Sequence, residues 1–293
     1  MSADTTMTGP WQAMVGRDVI EASGPDAATF LQGQLSQDVA ALAVGAGAYS
    51  LLLQPQGKVD AWLRVNRVGD ERFLLDVDAG WGEAVVRRLA RFKLRTRCEL
   101  TVLEGLVCWA VRGSDDVALG LLRDRAVAAG DGAVVVAAGW PAASGFDRLG
   151  PRLGALDGVP IVVDDAYTAA RIEAGVPAMG AELDESTIPA EAGPWLIDRS
   201  VSFTKGCYTG QELVARVDSR GSNTPRKLRL GRASGGLVAG MALSLDGEPV
   251  GTVTSAAAGG STALVYVRRA VEVPVVLTGP DGVRVDVGRL PGG

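Results

Sequence analysis

The stretch KGCYTGQELVAR, residues 205–216, places one cysteine between a lysine-glycine pair and a tyrosine. Thr209 followed by Glu212 fits a capping box, which predicts that a helix begins at this point. Cys207 then lies in the loop ahead of a helix N-terminus and close to Lys205, and both features favour the thiolate and lower the pKa of the thiol. The sequence therefore predicts a reactive thiol on a loop that faces a ligand. The alternative is a small apolar side chain in a turn.

The composition of the chain limits the chemistry that it can perform. The 293 residues include three cysteines and no histidine, and the formal net charge is −5. Without histidine, a Ser-His-Asp triad and a histidine-ligated metal site are both excluded. The net charge gives no support for binding to nucleic acid or to an anionic membrane by the whole surface. We therefore expect any chemistry to come from carboxylates, Lys, Arg, Tyr, one thiol or a bound organic cofactor.

Cysteine usage and hydropathy predict the compartment. Three cysteines without paired spacing argue against a disulfide framework and fit a reducing cytoplasm. We expect two of them, Cys98 and Cys108, to be buried, because they lie in strand-like apolar contexts. Residues 1–11 contain no basic segment followed by an apolar core, so no signal peptide is expected. The apolar stretch 133–143 is too short to span a bilayer. These features predict a cytoplasmic protein with no membrane partner.

The chain before residue 226 mixes helix and strand patterns, which predicts an α+β region. Apolar and polar residues alternate over 58–68, so one face of that strand belongs to the core and the other face is polar. One of the other predicted helices begins at the entry motif 23–26, and two more run over 82–94 and from 164 to 175. The other predicted strands lie over 49–54, 72–77, 98–103, 106–111 and 132–138. The stretch 139–160 is rich in Gly and Pro and is interpreted as a connection.

Short strand patterns recur about every ten residues after residue 225. They lie at 227–231, 242–245, 250–255, 263–267, 273–277 and 283–287. Asp-Gly pairs at 246–247 and 281–282 mark turns between some of them. This spacing predicts a small all-β barrel or sandwich at the end of the chain.

Basic residues concentrate in and after the helix predicted over 82–94. They are Arg87, Arg88, Arg91, Lys93, Arg95 and Arg97, and the apolar stripe of the same helix is Val85, Leu89 and Phe92. One interpretation is a solvated helix face. The other is an anchor for an anionic ligand tail or for RNA phosphate. No aromatic interleaving supports the stacking of single strands, so nucleic acid is an unlikely partner.

Several of these motifs are similar to those of one known family. KGCYTGQE at 205–212, followed by VAR at 214–216 and RG at 220–221, closely resembles the signature of the YgfZ family of folate-binding proteins. FLQGQL at 30–35, LQPQGK at 53–58 and RIEAGVP at 171–177 are similar to other segments of that family. YgfZ proteins are relatives of GcvT, an aminomethyltransferase of glycine cleavage that uses tetrahydrofolate.

The resemblance implies a fold, a cofactor and a role. The implied fold is α+β, with a GcvT-like arrangement of three domains around a central folate channel and a small β-barrel at the C-terminus. We place the domains at 1–50 plus 155–225, at 51–154 and at 226–293. The implied cofactor is tetrahydrofolate or a folate derivative. The implied role is the assembly or repair of iron–sulfur clusters, on which tRNA-thiolating enzymes depend, with iron–sulfur client or assembly proteins as partners.

The resemblance also implies site residues. Arg171 falls where the wider family places an arginine that contacts folate, and its guanidinium can pair with the glutamate carboxylates of the cofactor. The alternative for Arg171 is an ordinary salt bridge to Glu173 or Asp184. The other residues that match the signature are Glu173, Lys205, Cys207, Tyr208, Gln211, Glu212 and Arg216. We expect the thiol of Cys207 to lie at the rim of a cavity lined by Arg171.

Two positions depart from the GcvT pattern. The aspartate that GcvT carries on the strand after the Gln-Gly-Lys turn corresponds to Trp62, and the nearest acid is Asp60. Because residues two apart share one face of a strand, Asp60 could take that catalytic role. The pterin segment of GcvT is reduced to SGFD at 144–147. Both departures count against glycine-cleavage activity more than against folate binding.

Three functions follow from these features. The first is a folate-binding accessory protein for iron–sulfur clusters, with Cys207 as a thiol that contacts a cluster shared with a partner. The second is a folate-dependent one-carbon transferase with Asp60 as the base. The third is an RNA-contacting or tRNA-modification factor that uses the basic residues 87–97. An accessory factor is favoured over an aminomethyltransferase.

Overall fold

The computed structural model describes residues 9–219, 221 and 223–292. Residues 1–8, which are part of the stretch for which no signal peptide is expected, lie outside the described residues. Arg220 of the family signature also lies outside them.

Strands dominate the described chain. They are β1 (Trp11–Val15), β2 (Arg17–Ser23), β3 (Gly47–Leu53), β4 (Val59–Gly69), β5 (Arg72–Asp78), β6 (Glu99–Leu103), β7 (Leu106–Gly113), β8 (Val134–Ala137), β9 (Ser144–Pro151), β10 (Arg226–Arg232), β11 (Ala242–Leu245), β12 (Glu248–Ala256), β13 (Thr262–Arg268), β14 (Val275–Thr278) and β15 (Arg284–Gly288). The α-helices are α1 (Ala27–Gln34), α2 (Gly82–Ala90), α3 (Asp116–Ala128), α4 (Asp164–Glu173), α5 (Pro194–Ser200) and α6 (Gln211–Ser219).

A five-stranded antiparallel sheet in the order β3-β4-β5-β2-β6 forms the centre of the molecule. Its apolar face packs against α1 and α2, and the predicted core residues of β4, Val59 to Val65 at alternate positions, are buried there. The other face carries Trp62, Arg64 and Asn66, which are also buried, at 6%, 2% and 2% exposure. This polar face is therefore an interior surface, and what covers it determines the site.

A four-stranded sheet in the order β1-β7-β9-β8 lies against that polar face. Val19 and Leu74 of the first sheet pack with Cys108 and Leu149 of the second. The prediction that 139–160 is a connection is wrong, because β9 pairs with both β7 and β8 in the middle of this sheet. Strand β9 has the sequence SGFDRLGP. Gly and Asp are uncommon in strands, so the sequence does not have the usual strand pattern. The Asp and Arg side chains are tolerated there because they are paired inside the protein.

The C-terminal strands close into a barrel in the order β10-β13-β12-β11-β14-β15, which confirms the predicted barrel. Its interior is filled by aliphatic side chains such as Val253, Val265 and Val285. On its outer face Leu228 and Tyr266 pack against Ile172 of α4. Helix α4 therefore joins the barrel to the rest of the molecule.

Two sequence-based expectations about boundaries differ from the structure. Helix α2 ends at Ala90, and Phe92, which was assigned to its buried stripe, is 41% exposed because it lies beyond the helix end. Strand β3 crosses the domain boundary placed between residues 50 and 51. The division into three domains stays a prediction. Within the described residues, no helix is both long and apolar enough to span a bilayer.

Candidate functional site

A cavity of about 280 Å³ lies between the two sheets and is closed on one side by α4. Its walls combine charged, aromatic and aliphatic side chains. The charged residues that line it are Arg17, Arg64, Asp78, Arg112, Asp147, Asp164 and Arg171, and the aromatic ones are Tyr49, Trp62, Trp140 and Tyr167. The strands of the five-stranded sheet contribute to it from the buried polar face described above, and β1, β7 and β9 contribute from the four-stranded sheet.

The charged wall of the cavity is a network of buried ion pairs. Asp147 accepts a hydrogen bond from Arg112 at 2.7 Å on Oδ1 and pairs with Arg64 through Oδ2. Asp76 accepts from Arg64 at 2.6 Å and from Arg17 at 2.8 Å. Burial by itself would raise the pKa of each carboxyl, but the arginines outweigh it and hold the pKa of Asp76 and of Asp147 below the usual range. Both carboxylates are therefore anionic at neutral pH.

The aromatic wall offers flat surfaces to a ligand. The rings of Tyr49 and Trp62 stack with centroids 4.8 Å apart and an angle of 11°. The rings of Trp140 and Tyr167 lie 5.4 Å apart, and the guanidinium of Arg112 sits 4.3 Å from the Trp140 centroid. Burial raises the pKa of Tyr49 and of Tyr167, so both hydroxyls remain neutral. Aromatic faces beside a buried carboxylate suit a planar ring that carries N–H groups.

Arg171 lines the cavity as predicted, and it is also held by the protein. Its Nη1 donates to Val176 O at 2.7 Å and to Glu182 Oε2 at 3.1 Å, and its Nη2 donates to Ser255 Oγ at 2.9 Å. The salt bridge is to Glu182 rather than to Glu173 or Asp184. Among the described residues, Nε–H and the second Nη2 proton have no acceptor. This remaining edge is the one that can take a carboxylate in a bidentate manner.

Asp60 does not line the cavity. Its Oδ2 accepts from Arg88 Nε at 2.5 Å, and Arg88 also donates to Leu53 O at 2.7 Å. Trp62, two residues further along β4, is the residue that faces the cavity, and its indole N–H donates to Ser200 Oγ at 3.0 Å. Asp60 is thus paired with Arg88 of α2 outside the cavity. The structure does not support Asp60 as a base for a ligand in this cavity.

Glu173 also lies outside the cavity. Its Oε1 accepts from Thr262 Oγ1 at 2.8 Å, and its Oε2 pairs with Arg232. Both partners belong to the barrel, so this carboxylate attaches α4 to the barrel.

The loop that carries Cys207 is anchored to the end of α1 by Lys205. The ammonium donates to the carbonyl oxygens of Gln32 and Leu35 at 2.6 Å and of Gln37 at 3.0 Å. Burial lowers the pKa of Lys205 to about 8, so the group keeps its proton at neutral pH. Lys205 therefore satisfies carbonyl groups at a helix C-terminus, which is a structural role.

The thiol of Cys207 is exposed and does not line the cavity. The next residue, Tyr208, is half-buried with its ring centroid 5.0 Å from Lys205 Nζ, and burial raises its pKa to about 12. The backbone N–H of Thr209 donates to Gly33 O at 3.2 Å. Cys207 is exposed on this loop, but the structure does not bring Cys207 and Arg171 into one site.

Two glycines lock this loop against the turn at 54–58. Gly210 has a φ of +83°, and a Cβ there would lie 2.5 Å from Gln54 O. Gly57 has a φ of +80°, and a Cβ there would lie 2.4 Å from Leu213 Cβ. Neither position admits a larger residue without displacement of backbone. The motifs FLQGQL, LQPQGK and KGCYTGQE are therefore one packed unit.

Helix α6 begins with Gln211, close to the predicted start, but its first contact differs from the predicted capping box. The side chain of Gln211 accepts from the backbone N–H of Tyr208 at 3.2 Å, in place of the Thr209 and Glu212 pair. Glu212 lies in the first turn and Arg216 in the last, and both are exposed. The cavity lining includes no residue of α6.

The sequence-based site thus divides between two places, and the residues that form the cavity wall were largely missed. Arg64 was visible only as part of the polar side of an alternating strand, and Trp62 only as the departure from the GcvT aspartate. Asp147 was visible only as the end of SGFD. Arg64 and Asp147 are 83 residues apart, so no local pattern joins them. Among the described residues, no group of three or more His, Cys, Asp or Glu could hold a metal ion.

Comparison with known proteins agrees with this fold. Residues 16–116 match the model of the GCVT N-terminal domain. Over the described fold, the aminomethyltransferase T of the glycine cleavage system from Bartonella henselae superposes with a TM-score of 0.77 at 23% identity, covering 97% of this chain and 86% of that chain. At that identity the likeness shows the fold alone.

Two groups of sequence relatives are informative. The tRNA-modifying protein YgfZ of Edwardsiella ictaluri is 30% identical over 70% of this chain and 65% of its own length. The human mitochondrial iron-sulfur cluster assembly factor IBA57 is 31% identical over 74% of this chain and 65% of its own length. The IBA57 homologue of Pyricularia oryzae is 32% identical over 73% and 55%. The chain thus spans roughly half to two thirds of the length of these curated relatives. It belongs to the YgfZ/GcvT-like family.

Proposed function

We propose that this protein is a tetrahydrofolate-binding accessory factor for iron–sulfur cluster assembly or repair, with Cys207 as its exposed thiol. The observation that carries the folate part is the buried carboxylate of Asp147 in a cavity walled by aromatic rings. The names of the YgfZ and IBA57 relatives support the iron–sulfur part. A cytoplasmic location remains a prediction.

The donor and acceptor groups of the cavity fit a pterin. Asp147 uses one acceptor site on each oxygen for Arg64 and Arg112, and a carboxylate has about four such sites. The remaining sites suit the adjacent N–H groups of a pterin ring. The stacked pair Tyr49 and Trp62 and the ring of Trp140 supply flat apolar surface. When bound, tetrahydrofolate would supply one-carbon or redox chemistry at its ring.

The size of the cavity and the position of Arg171 suit the rest of such a ligand. A volume of about 280 Å³ is near the lower end for small-molecule sites, roughly 300–1,000 Å³. The ring system then fills the cavity, and the glutamate tail extends beyond it. The free edge of Arg171 can pair with a tail carboxylate, while its Nη1 contacts hold the guanidinium in place.

The transferase alternative receives no support from a specific residue. It requires a base beside the bound ligand, and Asp60 pairs with Arg88 outside the cavity. The exposed Cys207 fits the accessory role better. One thiolate can occupy one coordination position of a cluster whose other ligands come from a partner.

Thermal unfolding with and without tetrahydrofolate tests the folate part. A ligand that binds the folded state at 100 times its Kd stabilises that state by about 2.7 kcal/mol, which raises Tm. We expect this rise in the wild type and in Asp131→Asn, whose carboxylate pairs with Arg148 outside the cavity lining. Asp147→Asn should lose the rise. Equal Tm with and without ligand in the wild type would refute folate binding.

A further inference from the structure

The end of α2 and the segment after it form a basic projection that the proposed function does not use. Between Glu83 and Glu99 the sequence contains six basic residues and no acidic one, in a chain of net charge −5. We call the outer part of this segment the basic tip. It consists of the exposed residues Arg87, Arg91, Phe92, Leu94 and Arg95 together with the half-buried Lys93.

The neighbouring carboxylates are neutralised by other arginines. Asp60 pairs with Arg88, and Asp26 accepts from Arg97 at 3.0 Å. Across the described residues, no carboxylate lies within 4.0 Å of a basic group of the tip. Its four cations therefore have no protein counter-ion, and three of them are exposed arginines, whose planar fork matches phosphate oxygens.

An aromatic ring lies among these cations. Phe92 is 41% exposed, and the guanidinium of Arg88 sits 4.4 Å from its centroid. The ring is thus supported by a cation on one face while much of its surface remains open to solvent. Leu94, two residues further, is 85% exposed. The sequence-based objection to stacking fails, because Phe92 lies between Arg91 and Lys93 at the surface instead of in the core.

We propose that the basic tip binds single-stranded nucleic acid. Unpaired cations attract the phosphate backbone and release its counter-ions. An open aromatic face between them stacks on an unpaired base, and such stacking tolerates any base sequence. An acidic protein partner would use the charges, but it would bury Phe92 in an apolar pocket, and the charged support under this ring disfavours that environment.

The test is a titration of the full chain against a labelled single-stranded RNA of about 12 nucleotides, within the usual site size, at several salt concentrations. DNA of the same sequence and the RNA duplex serve as further arms. With four cations at roughly −0.7 each, we expect log K to fall with log salt at a slope of about −3. We expect the single strands to bind more tightly than the duplex. Comparison of the affinities for single-stranded RNA and DNA shows whether the ribose hydroxyl contributes to binding.

Paired variants separate charge from stacking. Arg91→Ala with Arg95→Ala should roughly halve the slope, whereas Arg123→Ala with Arg284→Ala, which removes the same charge elsewhere on the surface, should leave it unchanged. Phe92→Ala should weaken binding about 5- to 150-fold without changing the slope. The proposal is overturned by absent binding, by equal or tighter binding of the duplex, by a slope that the Arg91 and Arg95 changes do not alter, or by an affinity that Phe92→Ala leaves intact. None of these outcomes bears on folate binding.

Discussion

The residue that matters most in this structure is Asp147, which is 4% exposed and lies between two arginines. Arg64 and Arg112 are themselves almost completely buried, at 2% and 1% exposure. A buried pair of this kind adds little net stability, because desolvation offsets the attraction. Its loss is costly, however, since the remaining charges stay buried. Asp147 therefore keeps the two arginines and the cavity wall in place.

Replacing Asp147 with Asn should destabilise the protein strongly. The change leaves Arg64 and Arg112 without one of their counter-ions, and breaking a buried pair costs about 3–5 kcal/mol. Urea unfolding measures this loss. Glu21→Gln, which breaks a pair with the 57% exposed Arg72, is the control and should cost less than about 1 kcal/mol. An equal loss of unfolding free energy in the two variants would show that burial does not determine how much these ion pairs contribute to stability.

The same carboxylates predict an acid limit to stability. Their pKa values are lower in the folded state than in the unfolded state, so the unfolded chain takes up protons first as the pH falls. Their contribution is present above the unfolded pKa, about 3.9, and is lost as the pH falls towards the folded pKa. The free energy of unfolding should therefore drop below about pH 4 in the wild type. In Asp147→Asn the drop should be shallower, and an unchanged pH profile would contradict this assignment.

At the level of elements, the sequence predicts what short-range patterns encode. The barrel strands and the β3–β4–β5 meander follow from alternation and from turn residues such as Gly57, because these signals lie within a few residues. Strand β9 was missed because its polar residues are paired across the sheets. Arg64, Arg112 and Asp147 come from three strands of two sheets, so no local pattern predicted that they form one wall of the cavity. The KGCYTGQE loop was found, but its separation from Arg171 was not.

Glu182, in the segment that follows α4, links the cavity to the barrel. This residue is 1% exposed, and its carboxylate accepts from Arg171, from Ala178 N, and from Thr254 and Ser255 of β12. The Glu182 carboxylate therefore holds together Arg171, residues 176–178 of the cavity lining and strand β12 of the barrel.

Glu182→Gln should weaken this junction. It removes the buried charge that faces the half-buried Arg171, which costs about 3 kcal/mol by comparison with other broken buried pairs. Glu173→Gln, which breaks an exposed pair between the end of α4 and Arg232 of β10, should cost less than about 1 kcal/mol. Chemical denaturation of both variants measures the difference. A Glu182 variant as stable as the Glu173 variant would argue against this role.

At the level of the whole molecule, the cavity and the thiol are separate sites on one scaffold. Cys207 is exposed on a loop fixed to α1 and to the turn at Gly57, and the cavity lies between the sheets. Tetrahydrofolate should therefore leave the rate of Cys207 alkylation unchanged. Cys98 and Cys108 are buried, and burial raises the pKa of each, so they should not compete for the reagent. Protection of Cys207 by bound folate would show that the two sites are coupled.

The location of tetrahydrofolate in a crystal structure of its complex tests the central claim most directly. We predict a pterin ring between the two sheets, beside the Tyr49 and Trp62 rings, with its N–H groups donating to Asp147 and its tail directed to Arg171. Density for the ligand at the cysteine loop or on the barrel, with the cavity between the sheets filled only by water, would contradict it.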